Sequence, residues 1–406
     1  MNSRGLTVLL VAGFGLAAVL PATAYERGTT GADFLKIGLG AAPAGAGEAY
    51  TARTGDVHAA FYNPAGLAGL ERPAVAATHL RWIAETWYEA VAYAQPLLGM
   101  GTLGAGLFLL HMPEIPGRDD QGRDTGALQV YDLGVQFSYA RDLAVWLGAP
   151  DYAAGANVKI LHRELAGHSA TGAALDLGFR AEPLPGLAFG LAGSNFGYLS
   201  AFTHAEETLP VVIRVGASYS PSLGAGHEVV ASLDAVQPLD NALRAHVGAT
   251  YTYADTVSLR AGYIAGADLA GLQAGAGVTW RSITLDYAVK GMDVFGPTHF
   301  VTATFGFGAS IRELSERRAE ALLAEAESLS GGGQYTEALA KAEEAVAVAP
   351  SHEEALHMRD KLRTVLQMLE LSEGNRPASP AGDLPDAAGE NLTPDELEER
   401  GWEVQP

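Results

Sequence analysis

The sequence predicts an all-β transmembrane barrel of 14 antiparallel strands with an N-terminal plug, followed by a small α-helical module at the C-terminus. Two observations predict this fold class. Strands of about ten residues, separated by turn residues, recur from Pro73 to Ile311. They follow a secretory leader and a segment over 32–70 that is rich in Gly and Ala. Beyond the leader, no segment reaches the ~18 consecutive apolar residues that a membrane-spanning helix needs.

Residues 1–24 have the three parts of a signal peptide. Arg4 provides the positive charge, residues 6–20 form the apolar run, and residues 22–24 (Ala-Thr-Ala) match a cleavage site. A membrane anchor helix is the alternative, but the apolar run is short for one and rich in Gly and Ala. We therefore expect an exported protein whose mature chain begins at Tyr25.

Composition excludes several classes of function. The chain of 406 residues carries a net charge of −21 and contains no Cys, so disulfides and thiolate metal sites are excluded. No basic patch for nucleic acid is present. The 11 His do not form a ligand set, and neither a nucleophile elbow nor a His-Glu-x-x-His helix occurs. We expect no catalytic residues, no metal, no cofactor and no enzymatic activity.

Residues 25–72 are predicted to form the plug. The stretch over 32–70 does not alternate between apolar and polar residues, so it makes a poor strand. Its small residues suit short helices and turns in a tight space, where backbone approaches backbone. The stretch contains the turn Asn-Pro-Ala-Gly, in which we expect Asn63 to cap backbone groups and Gly66 to need a positive φ.

Residues 73–311 are predicted to form the barrel. Leu285, Tyr287 and Val289 point to one face and alternate with other residues, as a wall with a lipid face and a lumen face requires. With the N-terminus in the periplasm, the longest connections, 111–128 and 196–209, both face outward. The predicted strands are 73–82, 87–96, 100–110, 129–140, 152–163, 171–181, 186–195, 210–219, 227–236, 243–253, 256–265, 270–280, 282–291 and 298–311.

Residues 312–371 are predicted to form a periplasmic module of three helices. Within it, Tyr335, Leu339 and the residues up to Pro350 resemble the second half of a tetratricopeptide repeat (TPR), and Tyr335 and Leu339 are its expected partner-binding residues. One repeat is fewer than the ~three that make a stable solenoid, so we expect the module to lean on the barrel, a second copy or a partner. Residues 372–406, rich in Pro, Asp and Glu, are predicted to be a disordered acidic tail.

The plug segment carries the motifs of a known family. It contains Phe-Leu-Lys-Ile-Gly at 34–38, Gly-Glu-Ala-Tyr at 47–50 and Phe-Tyr-Asn-Pro-Ala-Gly-Leu at 61–67. In these residues it resembles the PorV/PorQ-type outer-membrane proteins, relatives of the FadL long-chain fatty-acid transporters. The C-terminal repeat module departs from that family, whose members do not need one.

The resemblance implies a fourteen-stranded barrel in the outer membrane of a Gram-negative-type bacterium, with a plug that helps to bind a hydrophobic ligand or a partner peptide. The ligand-binding residues that it implies in the plug are Phe61, Tyr62, Asn63, Pro64, Ala65 and Gly66. We therefore expect a FadL-like barrel that passes or binds a hydrophobic small molecule through a plugged lumen.

The sequence is also compatible with a second function. The barrel would then be a secretion or assembly factor that anchors the periplasmic TPR-like module, because repeat helices present surfaces for other proteins. The expected partners are accordingly a hydrophobic small molecule or a secreted or periplasmic protein. Outer-membrane lipid and the barrel assembly machinery are further expected partners, the latter because Phe305 and Phe307 end the last strand.

Overall fold

The chain forms two compact units, Met1–Arg317 and Arg318–Pro406. The first is a β-barrel with its N-terminal segment, and the second is helical. The predicted signal peptide, 1–24, and residues 375–406 of the predicted tail lie outside the described residues. The computed structural model describes residues 28–143, 152–202, 207–266 and 271–374.

The barrel unit is built from antiparallel strands. They are β1 (Ala74–Arg81), β2 (Trp87–Leu97), β3 (Gly101–His111), β4 (Ile115–Arg118), β5 (Asp124–Leu128), β6 (Val130–Asp142), β7 (Tyr152–Leu165), β8 (His168–Leu184), β9 (Leu187–Leu199), β10 (Val212–Tyr219), β11 (His227–Pro238), β12 (Arg244–Tyr253), β13 (Val257–Ala265), β14 (Gly271–Trp280), β15 (Ile283–Gly291) and β16 (Pro297–Gly306). All except β4 and β5 form one closed barrel, in which β1 pairs with β16. The predicted fourteen-stranded wall is confirmed.

Side chains alternate between the two faces of this wall. Along β16, Phe300 and Thr302 are buried on the inside, whereas Val301 and Phe305 are exposed on the outside. The outer face is therefore largely apolar. Further exposed apolar side chains on the wall are Val91, Leu107, Val158, Leu177, Leu233, Leu259 and Leu285.

The two ends of the barrel differ in their connections. We call the end where β1 begins and β16 stops the proximal end, and the opposite end the distal end. The long connections 112–129 and 200–211 lie at the distal end, whereas tight turns such as 98–100 and 281–282 lie at the proximal end. The two longest connections thus share one end, as the strand order predicted, although the two-residue turn 166–167 also lies at that end. The connection 141–151, which is long for the other end, was an exception already in the sequence.

The connection 111–128 is not the plain loop that the sequence predicted, because it contains the β4–β5 hairpin. The carboxylate of Asp119 closes the turn by accepting hydrogen bonds from the backbone N–H groups of Gln121 (3.0 Å) and Arg123 (2.8 Å). The two strands are short and contain Pro116 and Gly117, so apolar alternation could not reveal them.

The last strand ends at Gly306 rather than at the predicted 311. Gly308 adopts a positive φ of 69°, which interrupts the extended chain. Ser310 and Glu313 then start a helix by reciprocal bonds, in which each side chain accepts the backbone N–H of the other residue (3.1 and 3.2 Å). That helix, α2 (Ile311–Gly331), follows the short helix α1 (Ala41–Gly45) of the N-terminal segment in chain order.

The helical unit contains the rest of α2 together with α3 (Tyr335–Val348) and α4 (Glu353–Gly374), which extends past the predicted end at 371. The buried faces of these helices consist mainly of Ala and Leu. They include Ala319, Leu322, Ala326, Ala338, Ala342, Ala345, Ala355 and Leu362. None of the helices that the structure describes is both long enough and apolar enough to cross a membrane.

Candidate functional site: the lumen and its distal cavity

The N-terminal segment, residues 28–72, runs between opposite sides of the barrel wall. Helix α1 contacts β13, β14, β15 and β16, whereas the short helix Pro64–Gly69 contacts β3, β6, β7 and β8. Since these strands stand on different sides of a closed ring, the segment lies in the lumen. We call it the lumenal segment. Its other short helices are Asp33–Lys36 and Val57–Phe61.

Wall glycines let the lumenal segment approach the strands closely. A Cβ atom on Gly155 of β7 would lie 2.5 Å from the carbonyl carbon of Pro64. One on Gly262 of β13 would lie 2.1 Å from the backbone nitrogen of Gly47. Any larger residue at these positions would overlap the lumenal backbone, so Gly in these strands permits backbone-to-wall packing.

Buried polar groups of the wall bind the lumenal segment. Lys290 of β15 forms an ion pair with Glu48, with 2.6 Å between Nζ and Oε1. Asp234 of β11 accepts hydrogen bonds from the backbone N–H (2.9 Å) and the hydroxyl (2.6 Å) of Thr51. Burial alone would raise the pKa of Glu48, but the charge and hydrogen bond of Lys290, together with other nearby positive charge, outweigh burial and lower the pKa to about 2. Glu48 is therefore ionised, and its charge holds it to the wall.

A second charged pair lies within the lumenal segment. Asp56 accepts a hydrogen bond from the backbone N–H of His58 (2.9 Å), and its Oδ1 lies 2.8 Å from His58 Nδ1. Burial opposes ionisation of both groups, but each stabilises the charge of the other. The pKa of His58 is raised, and the pKa of Asp56 is held well below its usual range. The pair fixes the start of the helix Val57–Phe61.

A cavity of about 390 Å³ opens between the lumenal segment and the distal part of the wall. We call it the distal cavity. Its apolar lining comes from Phe34, Ile37, Trp82, Leu110, Ile264 and Met292. Its polar lining comes from Asp33, Lys36, Glu48, Asn241, Arg244, His246 and Lys290.

Two donor-bearing side chains on β12 reach the distal cavity with nitrogen atoms that lack a protein partner. The His246 side chain is almost fully buried; its Nδ1 lies 2.9 Å from the carbonyl oxygen of Gly47, and its Nε2 has no partner among the described residues. The buried Nε of Arg244 likewise has no hydrogen-bond partner among the described residues. Buried polar atoms are usually paired, so these two nitrogens beside the cavity are exceptions. The cavity therefore combines apolar side chains with polar side chains that carry unpaired atoms.

The buried side chain of Asn63 forms hydrogen bonds both within the lumenal segment and to the wall. Its Oδ1 accepts a hydrogen bond from the backbone N–H of Ala65 (3.1 Å), which caps the helix Pro64–Gly69. Its Nδ2 donates to the carbonyl oxygens of Thr51 (2.7 Å) and of Phe179 on β8 (3.0 Å). Pro64 stands in the first turn of the helix, where its missing N–H costs nothing.

Gly66 is required for a different reason from the one that the sequence suggested. Its backbone is not in the positive-φ region. Instead, a Cβ atom there would lie 2.5 Å from the carbonyl oxygen of Arg53 and 2.8 Å from Cβ of Ala59. Close packing within the lumenal segment, not backbone conformation, excludes a side chain at Gly66.

The neighbouring predicted residues also pack internally. The Phe61 ring contacts the Phe108 ring edge-on, with 6.1 Å between centroids, and the Tyr62 hydroxyl donates to the carbonyl oxygen of Leu39 (3.1 Å). None of the residues from Phe61 to Gly66 lines the distal cavity. The structure thus places the predicted site residues from Phe61 to Gly66 together against the wall and outside the distal cavity.

The sequence reasoning did not single out the cavity residues as a site. Phe34 and Ile37 were noted only as part of the family motif at 34–38, and Lys290 was not named. Inward-pointing charges on β12 and β15 were the available signal, since a charge at a lumen-facing position needs a partner inside the barrel. Among the described residues, no group of three or more His, Cys, Asp or Glu side chains is arranged to hold a metal ion.

The predicted partner-binding residues lie in the helical unit. Tyr335 and Leu339 are half-buried and pack against the cluster of Ala326, Ala338 and Leu362. Their side chains therefore contribute to the packing of α3 against its neighbours.

Comparison with known proteins gives distant structural likenesses. TbuX, the toluene transporter of Ralstonia pickettii, is 16% identical with a TM-score of 0.45, and the match covers 67% of this chain and 99% of TbuX. The toluene transporter TodX of Pseudomonas putida is 13% identical with a TM-score of 0.46, covering 66% and 96%. A FadL homologue of Pseudomonas aeruginosa is 12% identical with a TM-score of 0.40, covering 66% and 98%.

Likenesses this distant carry no argument about family or function. No family model and no curated protein matches the sequence. The class of molecule is therefore defined by its own geometry: a closed antiparallel barrel with a chain segment in its lumen and a cavity at its distal end.

We predict that Asn63→Ala loosens the lumenal segment. The change removes three hydrogen bonds and leaves buried carbonyl oxygens unpaired, at a cost of about 1–3 kcal/mol. Hydrogen exchange of the amides in residues 50–70 should accelerate about tenfold or more, while exchange in the wall strands stays unchanged. Gln121→Ala, on the exposed hairpin, is the control. Unchanged protection of residues 50–70 in Asn63→Ala would contradict the role of this side chain.

Proposed function

We propose that the protein is a FadL-like outer-membrane barrel that binds a hydrophobic small molecule in the distal cavity and passes it through the lumen, with the lumenal segment as its plug. The observation that carries the proposal is the distal cavity itself, which lies between the wall and the lumenal segment.

A membrane location is supported by the outside of the wall. Every strand of a closed barrel has a hydrogen-bonded neighbour on both sides, so no backbone edge faces the surroundings. The exposed outer side chains are largely apolar, for example Leu107, Leu259 and Leu285. In water such a surface would be unfavourable, whereas lipid accommodates it.

The size and lining of the distal cavity indicate the kind of ligand. About 390 Å³ falls within the range of roughly 300–1,000 Å³ that small-molecule sites occupy. Phe34, Trp82 and Ile264 offer apolar contact, while Arg244 and His246 offer unpaired polar atoms. A mainly apolar molecule with one polar group would satisfy both parts of the lining.

Passage beyond the cavity requires movement of the lumenal segment. Below the cavity, this segment contacts both sides of the wall through α1 and Pro64–Gly69. Its ties to the wall are polar pairs, such as Glu48–Lys290, and apolar contacts, such as the packing of Phe34 on Phe108. Breaking such ties opens a route without unfolding the strands, because the wall closes on itself.

We predict that Ile264→Trp reduces ligand binding. Ile264 lines the distal cavity, and a larger ring there fills part of the volume. Binding of the fluorescent apolar probe N-phenyl-1-naphthylamine to the detergent-solubilised chain should weaken about tenfold. The matched control is Leu259→Trp, on the same strand but the outer face. Equal affinities of both variants and the unchanged chain would exclude the cavity as the binding site.

We propose further that the helical unit is a periplasmic, TPR-like module. The chain leaves β16 at the proximal end, where tight turns predominate, and tight turns face the periplasm in bacterial barrels. The helices α2, α3 and α4 bury Ala-rich faces on one another, as helical repeats do. This arrangement supports the alternative role, in which the barrel anchors a protein-binding module.

We predict opposite labelling at the two ends of the barrel. The chain has no Cys, so Asp120→Cys on the distal hairpin and Gln334→Cys between α2 and α3 each create a unique thiol. On intact cells, a membrane-impermeant maleimide should label the first variant and not the second. After the outer membrane is permeabilised, both should react. Labelling of Gln334→Cys on intact cells would overturn the proposed orientation.

A further inference from the structure

The helical unit contains an open cleft that is separate from the packing of Tyr335 and Leu339. It lies between α2 and α4 and has a volume of about 730 Å³. Leu323, Ala324 and Met358 form its apolar floor. Four carboxylates stand on its rim: Glu320, Glu327, Glu353 and Glu354.

The rim carboxylates differ from the others of the unit in their partners. Elsewhere on the unit, Glu325 pairs with Lys341 (2.8 Å) and Glu343 with Arg363 (2.6 Å). All four rim carboxylates are exposed. None of them forms an ion pair with any residue that the structure describes. Lys361 and His357 also line the cleft, so the rim keeps an excess of negative charge. Lys341 and Arg363 pair with carboxylates outside the cleft, and the cleft is left anionic.

Charge decides between the possible occupants. The chain's own C-terminal residues, 375–406, contain two Arg against eight Asp and Glu, so the rim repels them. A bare metal ion would make no use of the apolar floor, and the rim carboxylates are not grouped as metal ligands. A basic polypeptide segment that carries a long apolar side chain matches both the rim and the floor.

We infer that this cleft binds a basic segment of another protein, with Lys or Arg side chains at the rim and an apolar side chain between Leu323 and Met358. The inference rests on the second role proposed above, a protein-binding helical unit, and names the chemistry of its partner. It is independent of what the barrel carries.

The test measures peptide binding to the full chain in a zwitterionic detergent. The probe is a fluorescent peptide of six Lys with a central Leu, followed by anisotropy. Replacing all four rim Glu residues by Gln should weaken binding about tenfold, since several exposed charge pairs of a few tenths of a kcal/mol each are lost. The control replaces four Glu residues outside the cleft, with the same change in net charge: Glu325, Glu337, Glu343 and Glu344 to Gln. It should change affinity less than about twofold.

The peptide itself provides the second measurement and needs no variant of the protein. Replacing its central Leu by Ser should weaken binding about fivefold or more if the apolar floor takes part. Equal losses in the two protein variants would show diffuse charge attraction and overturn the inference, as would absence of binding at low salt. Neither result would bear on the binding of N-phenyl-1-naphthylamine to the distal cavity, so a failure here is distinguishable from a failure of the barrel's proposed function.

Discussion

Charged side chains on the inner face of a closed wall need partners, and the lumenal segment supplies them. Pairing of β1 with β16 turns the sheet into a ring whose inward residues include Lys290 and Asp234. A buried charge without a partner is costly. Glu48 and Thr51 meet these two residues at hydrogen-bond distance, so the wall positions the segment and the segment supplies a partner for each of these two buried charges. The remaining features of the lumen follow from this mutual dependence.

Close packing and incomplete filling coexist in the lumen. At Gly155 and Gly262 the wall has no side chain, and the backbone of the lumenal segment occupies that space. Near the distal end, where the segment contributes Asp33–Lys36 and its neighbours, a cavity of about 390 Å³ stays open. The same segment thereby packs against the wall and shapes one side of the distal cavity.

The wall was predictable because each strand carries its own signal. Alternation along β15 and β16 depends only on which side chains point into the barrel and which point outward, so local sequence is sufficient. The contacts between the lumenal segment and the wall were not predictable from the sequence. The partners in each pair, Asn63 with Phe179 and Glu48 with Lys290, are far apart in the chain, and no local pattern encodes such pairs. Gly66 illustrates the limit, since the sequence marks a special glycine but not that Arg53 lies against it. The β4–β5 hairpin was missed because its strands are short and Pro116 and Gly117 remove any apolar alternation from β4.

The ion conductance of the barrel in a planar lipid bilayer, with and without residues 32–70, tests the central claim most directly. If the lumenal segment fills the lumen, the intact chain should conduct little, and the shortened chain should form steady, open pores with a several-fold larger conductance. The wall should survive the deletion because its strands pair with one another and water can solvate the freed charges. Equal conductance of the two chains would contradict the account, because the segment would then not obstruct the lumen.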